Sequence, residues 1–227
     1  MYIAAMFNPR AMLAIASVGA LVACHSANSS EPDLSHADIA NITKVHTDFP
    51  QDFKVRDIAK TGIDPRLLEQ HKLPPDIKFD PPECAKSADE QVLPSGVKGN
   101  MAAVTAEGAG NRFIVIAVET SEPVPVKDPS PNCQKIQYSS PVLHGQVEVI
   151  DAPKIDGVRT QGAHRVVQTT VDGTTRTGEL YTYVARFGAF AVIVSANPLV
   201  IPNQPVAKVD TKRAGDLLTA GVAAVKG

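Results

Sequence analysis

The chain has 227 residues with 22 basic and 24 acidic side chains, a formal charge of −2 at neutral pH, and the two signs are intermixed along it. That balance excludes a polybasic nucleic-acid surface or basic membrane patch, and the length fits one domain with a sizeable core better than two. Aromatic residues are few, tryptophan is absent and 18 prolines fall largely between apolar runs, which suits a β-rich fold with stiffened connections.

Arg10 precedes Ala11 to Val22, an uncharged run long enough for the apolar part of an export signal but short of the roughly 20 residues that span a bilayer. The run closes on Leu21-Val22-Ala23-Cys24. This stretch resembles the lipobox of bacterial lipoprotein signal peptides. The resemblance implies that residues 1–23 are removed, that the Cys24 thiol carries a diacylglycerol and that Cys24 becomes the mature N-terminus, anchoring the chain to the membrane. The alternative is an ordinary secretory signal that happens to be cleaved beside a cysteine.

The only other cysteines are Cys84 and Cys133, so an exported chain would hold an odd thiol. Lipidation of Cys24 accounts for it and leaves Cys84 and Cys133 as a disulfide in an oxidising compartment. Zinc is disfavoured, because neither has a second Cys or His at the short spacing of structural zinc sites. Losing Arg10 with the signal takes the charge from −2 to −3. Residues 24–34, small and polar through Pro32, read as a flexible tether, and 35–227 as a single extracytoplasmic domain.

Along that domain, Leu34, Ala37, Ile42 and Val45 predict a short amphipathic helix from Asp33 or Ser35 to about Thr47. Phe49-Pro50 then turns the chain into a strand carrying Phe53 and Val55 on one face. A proline-rich stretch from Thr61 to Pro82 holds one helical turn through Leu67 and Leu68, and Pro82 opens a short helix through Cys84 to Gln91. Asn100–Glu107 and Arg112–Thr120 predict a hairpin across Gly108-Ala-Gly110-Asn111. Its second strand is apolar on both faces from Phe113 to Val118, so it is either covered on both sides or lines a cavity.

After a proline-rich loop come strands over Lys135–Tyr138, Gln146–Ile150, Arg165–Val171, Glu179–Phe187 and Ala189–Ser195. Asp210 caps a last helix whose Ala214, Leu217, Leu218, Gly221, Val222 and Val225 form one apolar stripe. The order predicts an α+β fold, a single antiparallel sheet with the N- and C-terminal helices packed on it.

Motifs of catalysis are weak. Ser95-Gly-Val-Lys98, Ser195-Ala-Asn197 and Lys60-Thr-Gly62 echo penicillin-recognising serine enzymes, but their order is wrong and Ser95 sits in a Pro-Ser-Gly turn rather than at a helix start. There is no G-x-S-x-G elbow, the histidines show no paired spacing, and Gly108-Ala-Gly110 joins two strands instead of opening a helix on a phosphate. No catalytic residue, metal or cofactor is expected. Tyr181, Tyr183 and Phe187 alternate onto one strand face, either as core or as the floor of a groove for an apolar or glycan ligand.

With the lipobox, the Phe49-Pro-x-x-Phe53-x-Val55 segment, Pro-Pro-Glu-Cys84 and the strand after Cys133 in view, the chain resembles mycobacterial and related actinobacterial cell-envelope lipoproteins of unknown function. Those domains are in turn similar to the extracellular sensor domain of a mycobacterial serine/threonine kinase and, more distantly, to PsbP-like α+β folds. The resemblance implies no catalytic residues. The expected role is a non-enzymatic binding or interaction module held on the outer face of the cytoplasmic membrane, with an envelope protein, glycan or lipid as partner. The alternative is a lipid carrier whose cavity is lined by Phe113–Val118 and Ala189–Ser195.

Overall fold

The computed structural model describes residues 33–63, 76–88, 93, 96–123, 128–171, 173–202 and 204–227. The export signal, Cys24, Ser95 and the turn expected around Leu67 and Leu68 lie outside them. Nine strands form one wholly antiparallel sheet in the order β1-β3-β4-β9-β8-β7-β6-β5-β2. They are β1 (Lys54–Gly62), β2 (Lys78–Asp80), β3 (Gly99–Gly108), β4 (Asn111–Thr120), β5 (Lys135–Ser140), β6 (Leu143–Ile150), β7 (Arg159–Val171), β8 (Thr174–Phe187) and β9 (Phe190–Pro198). Every strand expected from alternation is present, several of them longer. The β3–β4 turn puts Ala109 and Gly110 both at positive φ, the backbone a two-residue hairpin requires.

Besides three-residue 3-10 turns at Pro82–Cys84 and Pro131–Cys133, the helical elements among the described residues are a 3-10 helix η1 (Ile39–Asp48), a four-residue α1 (Ala85–Ala88) and the terminal α2 (Thr211–Lys226). Helix α2 follows the expected stripe, with all six stripe residues buried and the Asp210 carboxylate accepting from the Arg213 amide at 2.9 Å. Such a cap contributes about 1 kcal/mol. The first helix departs from expectation: it is 3-10 rather than α, and its cap is Asp38, accepting from the Ala40 amide, not Asp33 or Ser35. The reason lies in its buried residues Ile39, Ile42 and Val45, which recur every three positions. A helix of three residues per turn aligns them in one row, whereas an α-helix would rotate them off the sheet.

Strand β4 is covered on both faces. In front, Phe113, Val115 and Ala117 join Ala102, Val104, Val192, Val194, Tyr183 and Phe187 under the buried residues of η1 and α2. Behind, Val118 packs with Leu93, Met101, Ala103, Val184 and Ile193. The two apolar strands nominated as cavity walls are therefore packed core. Helix α2 lies so close that a Cβ at Gly221 would come within 2.9 Å of Val192 and 3.1 Å of Ile42.

Toward the other end of the sheet the back face carries a smaller cluster, in which Cys84, Ala88 and Cys133 pack on Ile136 beside Phe79. Cys84 and Cys133 are bonded, their Cα atoms 5.6 Å apart and 49 positions apart in sequence. A loop of that length gives on the order of 4 kcal/mol in the chain-entropy account. The staple holds the short helical segment from Pro82 to Ala88 onto the sheet, and Arg165 adds a hydrogen bond to the Ala88 carbonyl.

Tyr138 on β5 lies across Gly145 on β6, its ring occupying the space where a side chain at 145 would stand. Its hydroxyl is buried and has no hydrogen-bond partner among the described residues. Gly145→Ala is expected to lower stability by about 1–3 kcal/mol through overpacking. Tyr138→Phe should be neutral or stabilising, since it removes a desolvated hydroxyl and little else. Urea unfolding of the two variants checks both signs.

Candidate functional site

Helix α2 packs on β4, β8 and β9, and η1 on β1, β3 and β4. The front of the sheet beyond β8 is thus left without helix cover among the described residues. The register sets its content. One row across the strands runs Lys135, Glu148, His164 and Tyr181, and the next runs Gln137, Gln146, Val166 and Glu179. The same sheet face that is apolar under the helices becomes almost wholly polar where they stop.

Glu179 is the hub of this surface. Its Oε1 lies 2.9 Å from His164 Nε2 and accepts from the Tyr181 hydroxyl at 3.1 Å. The His164 and Tyr181 rings stack with centroids 4.2 Å apart and planes within 13°. Alongside, Gln146 donates to Glu148 at 3.3 Å and Lys135 stands 3.9 Å from the same carboxylate. The His164 and Glu179 side chains keep 18% and 34% of their exposure, so they remain accessible while each is fixed by its neighbours.

Of the three aromatics nominated from sequence, Tyr183 and Phe187 lie within the core under the helices at 5% and 3% exposure. Tyr181 alone reaches the open surface, at the border between covered and uncovered sheet. Its companions Glu179, His164, Glu148 and Gln146 were not nominated. Their signal is the shared parity of polar residues on β6, β7 and β8, which becomes visible only once the strand register is known.

The arrangement offers acceptors, donors and ring edges, and it includes no serine or cysteine nucleophile beside the histidine. Among the described residues no group of three His, Cys, Asp or Glu side chains could hold a metal. Lys60 of the Lys-Thr-Gly triplet bonds Glu119 at 3.0 Å and stands 3.6 Å from Asp38. It is thus engaged in a surface ion pair with both carboxylates. A second depression, a cleft of about 390 Å³, lies between the end of η1 and the start of α2, lined by Asp48, Asp210, Lys212, Arg213 and Asp216 over Leu217 and Ala220. Its charges answer one another: Lys212 reaches Asp216 at 2.7 Å, and Arg213 sits 3.4 Å from Asp210 and 5.3 Å over the Phe53 ring.

Burial raises the phenol pKa of Tyr181, and its hydrogen bond to Glu179 and the charge of that carboxylate raise it further. Burial raises those of Tyr183 and Tyr138 as well. Below about pH 10 these tyrosines are neutral folded and unfolded, so their titration takes nothing from stability. Above it the unfolded chain ionises first, so stability should fall as pH climbs toward the raised folded values. Denaturant unfolding across the alkaline range, followed together with tyrosinate absorbance, should show the decline, and Tyr183→Phe should flatten it.

Residues 38–226 match the model of DUF5642, a domain of unknown function. The X-ray structure of an uncharacterized Mycobacterium smegmatis protein, described as the Rv0999 ortholog, is 54% identical with a TM-score of 0.80. The match covers 86% of this chain and 100% of that one. The extracellular domain of PknH from Mycobacterium tuberculosis matches at 9% identity over 82% of this chain and 91% of its own. Its TM-score of 0.33 is too low to carry any inference about fold or role. No curated protein matches the chain.

Proposed function

We propose that this chain, which belongs to the DUF5642 family of unknown function, acts as a lipid-anchored, non-enzymatic binding module on the outer face of the cytoplasmic membrane. The observation that carries the anchoring is the state of the sulfurs. Cys84 and Cys133 are bonded to each other in the core, which leaves Cys24 as the one remaining thiol, placed at the end of an apolar run behind Leu-Val-Ala. A disulfide of this kind persists in oxidising compartments, in keeping with export.

The binding surface in this reading is the open front of β5 to β8 around Glu179. Fixed carboxylates, amides and a half-exposed ring pair suit a polar, hydroxyl-rich envelope component such as a glycan, which such groups recognise through hydrogen bonds and stacking. A sheltered acyl chain finds less support, because β4 and β9 are packed on both faces.

Expressed in a mycobacterial host, the wild-type chain should float with membrane vesicles, and its mature N-terminal peptide should carry the mass of a diacylated or triacylated cysteine. Cys24→Ala should abolish both while leaving thermal unfolding of the domain unchanged. An unacylated mature start in the wild type would sink the anchoring. For the surface, solubilised peptidoglycan fragments added to the isotope-labelled domain should perturb amide signals of β6, β7 and β8, and Glu179→Gln should weaken the effect several-fold. The solved relative, whose whole chain corresponds to 86% of this one, supports use of the isolated domain.

A further inference from the structure

Exposed large aliphatic side chains are unevenly distributed. Of the five exposed among the described residues, Val200, Ile201 and Val206 fall in the single loop between β9 and α2, at 76%, 40% and 57% exposure. No charged residue occurs from Phe187 to Ala207, and Pro198, Pro202 and Pro205 punctuate the segment. Apolar residues scattered singly need no explanation, but three exposed on one uncharged loop do.

This exposure is held in place. The Leu199 amide donates to the Gly110 carbonyl at 2.8 Å and the Gln204 amide to Ile201 at 3.1 Å. At the loop's far end Asn111, 4% exposed, donates through its side-chain amide to the Lys208 carbonyl and accepts from the Asp210 amide. One buried asparagine thus ties the loop's return to the β3–β4 turn, and the aliphatic tip stands on a braced base.

We infer that this loop is a second membrane contact, whose aliphatic tip enters the interface of the same lipid surface that receives the acyl chains; the inference rests on the anchoring proposed above. Drawn out fully, the tether matches the length of β9. The described chain begins beside the Gly188 turn, where Leu34 packs, at the opposite end of β9 from Pro198. Nine residues of β9 span roughly 30 Å. The nine residues from His25 to Asp33 reach about the same distance when extended. A domain already concentrated at the bilayer by its acyl chains needs only a weak further contact to be oriented. A protein partner or a second copy fits less well, because three side chains fall far short of the roughly 800 Å² per partner of a stable protein interface.

The absence of tryptophan gives the test. The full lipidated chain carrying Val200→Trp is reconstituted into phosphatidylcholine–phosphatidylglycerol vesicles, with Ile58→Trp, an exposed position on edge strand β1, as control. Val200→Trp emission should shift to the blue and be quenched by lipids brominated on their acyl chains, and Ile58→Trp emission should do neither. Val206→Trp repeats the reading in case the first variant unfolds at a lower temperature than wild type. Unshifted, unquenched emission from a chain that floats with the vesicles overturns the loop contact and leaves the anchor standing. A blue shift that grows with protein density without quenching overturns it in favour of a second copy. A chain that does not float overturns anchor and loop together.

Discussion

The fold depends on the need to bury both faces of β4. A strand reading Phe-Ile-Val-Ile-Ala-Val has no side to offer water, so the sheet around it must be roofed twice. In front the roof is η1 and α2, brought close by Gly221, where the lack of a side chain lets helix and sheet meet at van der Waals distance. Behind, Leu93 with Ile63 and Val97 covers β4, while the disulfide clamps the segment around Cys84 onto β5 beside Phe79. The front covering ends at β8, whereas the back carries a further cluster around β5 and β2.

Because the helices stop at β8, one continuous sheet face changes character partway across. Tyr183, Ala185 and Phe187 serve the core, whereas Tyr181 and Glu179, on the same face of the same strand, serve the surface. Cross-strand neighbours complete the change: His164 stacks on Tyr181 and bonds Glu179, with Glu148 beside it. Side chains braced in this way would lose little freedom on meeting a ligand.

Much of this organisation is legible in the residues. The stripe of α2, the glycine-linked hairpin and the two-sided strand follow from periodicity and were found in place. The first helix was misread because Ile42 and Val45 satisfy both α and 3-10 spacing, and only Ile39, three residues before Ile42, breaks the tie. The candidate site is legible only at Tyr181. Single-strand alternation sorts residues onto faces, but it cannot say that Glu148, His164 and Tyr181 share a row or how far across the sheet the helices extend. Those facts belong to register and packing, which no local window contains.

Strand β1 closes one side of the sheet with almost every residue exposed, Lys54, Arg56, Asp57 and Lys60 along its length and a slip of register between Ile58 and Thr61. Charge and irregularity on an outer strand discourage another chain from extending the ladder. Were the domain held at a membrane as proposed, where neighbours meet far more often than in solution, that protection would matter more. It would let many copies crowd one patch of membrane without zipping into a polymer.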